Sequence, residues 1–291
     1  MKTLKEYIAQ AEEKKVAIGH FNISNIEGLW AVFNAARTLN VPVIIGVSEG
    51  ERDFIGVKQV ACLVKSLREE FDFPVFLNAD HSYSFERVRD AVDAGFDMVI
   101  FDGAGLPFEE NSRECIRCVE YVRNTRPTVL VEGELGFIGK SSSVMDSVPE
   151  GVTEDTETKV EDAKKFSEET SVDLLAPSVG NFHGMVKNMN TGDGNLKKLN
   201  IENIKEIRAA AGVPLVLHGG SGTSDEDFVK AIDAGISIIH INTELRVAYQ
   251  NALKMSIQTN PDETTPYKIM KPVVLAMQKV VEGRLRLFNK M

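Results

Sequence analysis

Cysteine is scarce, with three among 291 residues. A small, odd number builds no disulfide framework, so the chain reads as one for a reducing, cytoplasmic compartment. No apolar run approaches the ~18 residues that a membrane span needs. The first ten residues, MKTLKEYIAQ, have an amphipathic helical pattern and lack the apolar centre of a secretory signal. Basic residues are outnumbered, 33 against 43 acidic for a net charge of −10. That balance gives no overall pull towards nucleic acid or an anionic membrane. No stretch rich in Pro, Gly or Ser divides the chain. What is present is ordinary for a globular protein, 43% hydrophobic and 26% charged residues, with ample material for a large core. Length alone admits either two domains or one large barrel.

Eight short β-branched runs alternate with longer segments of helical spacing. The runs are 16–21, 42–48, 74–79, 97–102, 128–134, 172–177, 214–218 and 236–242. Each is nearly all apolar at its centre, as parallel strands buried on both faces require. Helical spacing fills 26–38, 84–94, 111–124, 157–169, 201–211 and 224–234, the last opened by Ser224 as N-cap. Parallel neighbours need crossover helices, so the pattern predicts an α/β fold, a (β/α)8 TIM barrel forming a single domain over 1–291. An internal echo supports it. DAVDAGFDMVIF at 90–101 and KAIDAGISIIHI at 230–241 share one pattern, with Gly ending a helix before each strand. The irregular stretch 138–156 follows the fifth run and is expected to be a long, lid-like loop. Helices are expected after the eighth run. Cys115 and Cys118 fall mid-helix and read as partly buried positions without redox chemistry. Trp30 and Phe33, at helical spacing, are expected in the core.

All five histidines, at 20, 81, 183, 218 and 240, lie in a run or just beyond one. In a parallel barrel the C-terminal strand ends carry the chemistry. His81 follows the third run, His183 the sixth, and His218 ends the seventh. Three imidazoles converging on one mouth suit zinc, which takes neutral His nitrogen and keeps an open position in catalytic sites. A single such His would be an ordinary hydrogen-bonded core residue; three at one end favour a metal. Asp80 beside His81 is then a candidate proton carrier, and Glu134 a further metal ligand or a support for one. Two glycine-bearing turns follow two of the metal candidates: Gly184 with Lys187, and Gly219-Gly220-Ser221-Gly222. Successive glycines let backbone N–H groups close on an anion, so a phosphorylated substrate is expected.

The motifs NADHS at 78–82, VEGELG at 131–136, GNFHG at 180–184, LHGGSG at 217–222 and INTELR at 241–246 come in one order along the chain. In that order and spacing the chain resembles the class II, zinc-dependent fructose- and tagatose-bisphosphate aldolases, nearly end to end from GHFNISNIEGLWAV at 19–32 to KPVVLAM at 271–277. The resemblance implies that His81, His183 and His218 hold Zn2+, with Glu134 close to it. Asp80 would be the proton carrier at the aldehyde oxygen. Gly184, Gly219 and Ser221 would bind the ketone-side phosphate, with Lys187 beside them and a monovalent cation such as Na+ or K+ nearby. Asn22, Ser48, Asn242 and Thr243 would line the substrate, and Arg246 would reach its distal phosphate. A homodimer or homotetramer is implied.

The chain also departs from the family. Members commonly carry acidic residues after VEGELG, one of them a base on a mobile loop, where this chain has 139–143, GKSSS. Asp146 and Glu150 are the nearest acids. Ala104-Gly105 stand where Ser-His is common, His240 where Asn is common, and TTPYK at 264–268 where DPRK is common. The expected activity is reversible aldol cleavage of a phosphorylated ketose to dihydroxyacetone phosphate and an aldehyde, in carbohydrate metabolism of the glycolytic kind. The alternatives are an aldolase for a different ketose phosphate and a paralogue that binds zinc and sugar phosphate with altered catalysis. No Lys ends a run, which speaks against a Schiff-base aldolase.

Overall fold

The computed structural model describes residues 2–139, 141–187 and 197–291. Ten strands occur among them: β1 (Ile18–Asn22), β2 (Val43–Val47), β3 (Val75–Ser82), β4 (Met98–Phe101), β5 (Leu130–Leu135), β6 (Val144–Met145), β7 (Leu174–Pro177), β8 (Met185–Val186), β9 (Leu215–Leu217) and β10 (Ile236–Ile241). Eight of these close a parallel barrel in the order β1-β2-β3-β4-β5-β7-β9-β10. Each barrel strand falls on one of the eight predicted runs. The helices are α1 (Leu4–Lys14), α2 (Ile26–Leu39), α3 (Glu49–Ile55), α4 (Val57–Phe71), α5 (Phe85–Ala94), α6 (Phe108–Thr125), α7 (Val160–Thr170), α8 (Ile201–Ala211), α9 (Asp225–Ala234), α10 (Thr243–Thr259) and α11 (Pro266–Phe288). The TIM barrel expected from the sequence is therefore the observed fold.

Side chains alternate along each strand, and the two sets enter different cores. Val43, Ile45, Leu77, Val99, Val131 and Ile239 join the shell between strands and helices. Ile18, Ile44, Phe76, Met98, Leu130, Val216 and Ile238 form a second cluster with Leu4, Ile8 and Ala11 of α1. This second cluster is the floor of the barrel interior, and α1 plugs it. The plug starts at a capping box between Thr3 and Glu6. Its Leu4, Ile8 and Ala11 fall one or two turns apart and so share one face. Two residues beyond the floor, the same inward positions hold His20, Gly46, Asn78, Glu132, His218 and His240; two further on they hold Asn22, Ser48, Asp80, Glu134 and Asn242. The interior thus turns from apolar to polar and ionisable along the strand direction.

The segment between the second and third runs holds α3 and α4, which the sequence reading left unassigned. Gly56, with φ 95°, breaks the pattern there into a helix of 7 residues and one of 15. Trp30 is corrected: it is 37% exposed and meets Phe33 edge-on, while Phe33 is fully buried. Cys115 and Cys118 are buried on α6, more deeply than expected. The stretch 138–156 contains β6, which pairs in parallel with β8 in the loop after β7. At the seam between β1 and β10, α11 packs on α2, and Ala17 N donates to Phe288 O at 3.0 Å.

Candidate active site

Asp80 and His81 are consecutive on β3, and a regular strand would send them to opposite faces. The strand is irregular here. Its register against β4 shifts between Ala79 and Ser82, and His81 has φ 42°. Both side chains consequently reach the barrel mouth. Arg52 holds the irregularity in place. Its guanidinium is 1% exposed and donates to Val47 O, Asp80 O, His81 O and Ser82 Oγ at 2.6–3.2 Å. Burial brings its pKa down to about 10, which leaves it charged at neutral pH.

His81 Nε2 faces His218 Nδ1 at 3.1 Å. The outer nitrogen of each ring meets a carboxylate: His218 Nε2 lies 2.6 Å from Glu132 Oε1, and His81 Nδ1 lies 2.9 Å from Asp102 Oδ2. Each carboxylate draws the ring proton to the outer nitrogen and so fixes the tautomer. Two lone pairs then face each other across 3.1 Å, an arrangement that needs positive charge between or beside them. His183 completes the group, with the candidate ligand atoms of all three rings within 4.8 Å of one another. Glu134 Oε2 lies 3.2 Å from His81 Nδ1, outside hydrogen-bond geometry, and keeps a free lone pair. This donor set, imidazole nitrogen backed by carboxylate, fits a divalent metal.

The electrostatics agree. Asp80, Asp102, Glu132 and Glu134 crowd around the imidazoles. Burial opposes charge on both rings, yet Asp80 and Glu134 lift the pKa of His81 well above the usual value, and Glu132 raises that of His218. Burial and the neighbouring rings push His183 and His240 the other way. Burial disfavours the carboxylate of Asp80, but His81, His240 and His20 hold it well below its ordinary range. Asn22 Nδ2 donates to Asp80 Oδ2 at 2.8 Å, and Asp80 Oδ1 lies 3.3 Å from His240 Nδ1. His20 and His240 stack at 3.4 Å, and only glycine fits opposite: a Cβ on Gly46 would meet the His20 ring at 2.0 Å.

The pocket above the histidines is lined by Asn22, Asp80, Ser142, His183, Gly184, Gly219, Ser221, His240, Asn242 and Thr243. A wider compartment beside it adds Ser48, Glu49, His81, Tyr83 and Arg246. The structure therefore gathers nearly every residue predicted from sequence. The two glycine turns touch each other: a Cβ on Gly219 would sit 2.3 Å from Phe182 O. Ser221 Oγ accepts from Asn242 N and Glu244 N at the start of α10, whose N-terminus points at the same pocket. Lys187 and Asp146 are not brought in. They pair with each other at 2.8 Å on the β6–β8 ribbon, 58% and 85% exposed. Arg246 reaches both walls, donating to Glu51 Oε1 at 2.8 Å and to Ser142 O of the loop after β5 at 3.1 Å.

Sequence reasoning missed Glu51, Arg52, Asp102 and Glu132. Glu132 carried a signal, as a charged residue inside an apolar run and two positions before Glu134. Arg52 carried none, because three of its four partners are backbone carbonyls.

A closed parallel barrel with a histidine–carboxylate cluster at its C-terminal mouth defines an enzyme of the TIM-barrel type. The family model for "Fructose-bisphosphate aldolase class-II" matches residues 2–291. The chain belongs to the class II fructose-bisphosphate aldolase family and is an aldolase-type lyase. It is 38% identical over 290 residues to a fructose-bisphosphate aldolase of Geobacillus stearothermophilus, covering 99% of this chain and 96% of that one. It is 36% identical to the probable fructose-bisphosphate aldolase of Bacillus subtilis, with 99% and 97% covered. Among solved structures, the YdjI aldolase of Escherichia coli K12 superposes with a TM-score of 0.81 at 30% identity, covering 98% of this chain and 96% of that one.

Proposed function

We propose that the chain works as one barrel domain over 1–291 and is a zinc-dependent aldolase. It reversibly cleaves a phosphorylated ketose, fructose 1,6-bisphosphate or a related sugar, to dihydroxyacetone phosphate and an aldehyde. The carrying observation is the pair of facing nitrogens on His81 and His218, each ring backed by a carboxylate, beside Asp80 and the glycine turns. His81, His183 and His218 hold the zinc in this reading, with Glu134 against it. When bound, zinc supplies positive charge that polarises the ketone and stabilises the negative charge left by carbon–carbon cleavage.

The chain's own groups do the rest. Asn22 fixes one oxygen of Asp80, which leaves the other to exchange a proton with the substrate. In cleavage a hydroxyl proton passes to Asp80 as that hydroxyl becomes the aldehyde; in condensation Asp80 returns it. Gly184, Gly219, Ser221 and the N-terminus of α10 at Thr243 receive the ketone-side phosphate through backbone N–H groups. Arg246, with Ser48 and Asn242 along the way, takes the distal end. Three free thiols and the family's role in carbohydrate metabolism support a glycolytic, cytoplasmic setting. Met255 and Tyr267, exposed apolar side chains on α10 and α11, support a homodimer or homotetramer.

Chelator-stripped protein should lose the release of dihydroxyacetone phosphate from a panel of ketose mono- and bisphosphates, and zinc should restore it. Turnover unchanged by complete metal removal would overturn the mechanism.

A further inference from the structure

Lys197 is 2% exposed, and nothing in the mechanism above uses it. Its Nζ lies 2.5 Å from Phe182 O, 2.7 Å from Gly184 O, 2.6 Å from Gly219 O and 2.6 Å from Ser221 O. The ring of Phe182 covers it at 4.3 Å. An ammonium has three N–H donors, so four close carbonyls exceed its directed hydrogen bonds. A ring of carbonyl oxygens around one positive centre is how proteins replace the hydration shell of a monovalent cation. Phe182 and Gly184 flank His183. Gly219 follows His218, and Ser221 lies two residues further on. The one ammonium therefore ties together the two turns that carry two metal candidates and the glycine phosphate cradle.

We infer that Lys197 is a tethered monovalent cation, a positioning residue that fixes the two phosphate-binding turns and frees the enzyme from any need for K+ or Na+. This rests on the aldolase reading for its catalytic consequence and on the geometry alone for the cation site. Burial draws the pKa of this amine down to about 7. The four carbonyls act against proton loss, because a neutral amine would turn its lone pair on one of them. Removing the side chain should leave a cage able to take a free ion of similar size, K+ or ammonium.

The test compares wild type, Lys197→Ala and Lys197→Met in potassium, ammonium and tetramethylammonium chloride at equal ionic strength. Three quantities are read: melting temperature, affinity for inorganic phosphate by calorimetry, and kcat/KM. Wild type should be indifferent to the cation. Lys197→Ala in tetramethylammonium should lose about 100-fold in kcat/KM, the scale of a small misplacement of a substrate-holding group. Potassium or ammonium should recover most of that loss and raise its melting temperature and phosphate affinity. Lys197→Met, which fills the cage without charge, should recover nothing. A wild type that loses kcat/KM when K+ is replaced by tetramethylammonium overturns the inference, whether or not the variants fold. So does a Lys197→Ala variant that is unimpaired, one that is impaired but not restored, or equal restoration of both variants. A wild type that cleaves no ketose phosphate defeats the aldolase reading alone, since melting and phosphate binding still decide on Lys197.

Discussion

The two ends of the barrel interior are built on the same strands and teach opposite lessons. At the floor, Ile18, Ile44, Phe76, Leu130, Val216 and Ile238 close on α1 as an apolar plug. Two steps along the same inward faces stand His20, Gly46, Asn78, Glu132, His218 and His240. The floor contributes stability through buried apolar area. The mouth spends it: buried carboxylates crowd one another, and His81 holds a left-handed backbone that its side chain disfavours. Stability and chemistry are separated along the barrel axis, so substitutions at the two ends should fail in different ways.

The largest expected effect is at the mouth. His81→Gly should lower kcat/KM by at least about 1,000-fold, beyond the loss of one stabilising donor. Its melting temperature should fall less than that of His81→Ala, because glycine adopts φ near +42° freely. Kinetics with differential scanning calorimetry reads both, and a variant that simply unfolds breaks the comparison. The floor should behave in reverse. Phe76→Ala should lose about 3–5 kcal/mol in urea unfolding, with kcat unchanged at temperatures where it stays folded. Between these lies Glu132→Gln, which leaves every candidate ligand in place and weakens only the hold on His218 Nε2. Roughly 10- to 100-fold weaker zinc binding is expected by competition with a chelating dye; wild-type affinity would show the Glu132 contact to be incidental. The smallest effect is at Asp146. Paired with exposed Lys187 outside the pocket lining, it should tolerate Asp146→Asn within about twofold in kcat/KM, as exposed ion pairs generally do. A large loss would return Asp146 to the site as its loop base.

The contrast also explains what the sequence made legible. Eight strands could be read because both faces of each are apolar along most of their length, which needs no knowledge of which face is which. His81, His183 and His218 stood out because they break those runs at the ends. The division of each strand into shell-facing and interior-facing residues was hidden, since Val43 and Ile44 look alike as letters yet join different cores. The helix pair α3 and α4 was obscured by the break at Gly56. Arg52 and Lys197 were invisible for a shared reason. Both spend their donors mainly on main-chain oxygens, and a carbonyl has the same identity at every residue. Only the folded path of the backbone shows which carbonyls come together.

The seam between the first and last barrel strands has a consequence for how the molecule is made. Residue 20 pairs with residue 240, and Ala17 donates to Phe288. During synthesis the first strand emerges long before its neighbour on that side exists. Until β10 has left the ribosome, β1 offers an open edge, and until α11 follows, its groove on α2 lies bare. Between the emergence of β1 and that of β10 the nascent chain is therefore an unclosed sheet, the state in which it most needs protection from others of its kind.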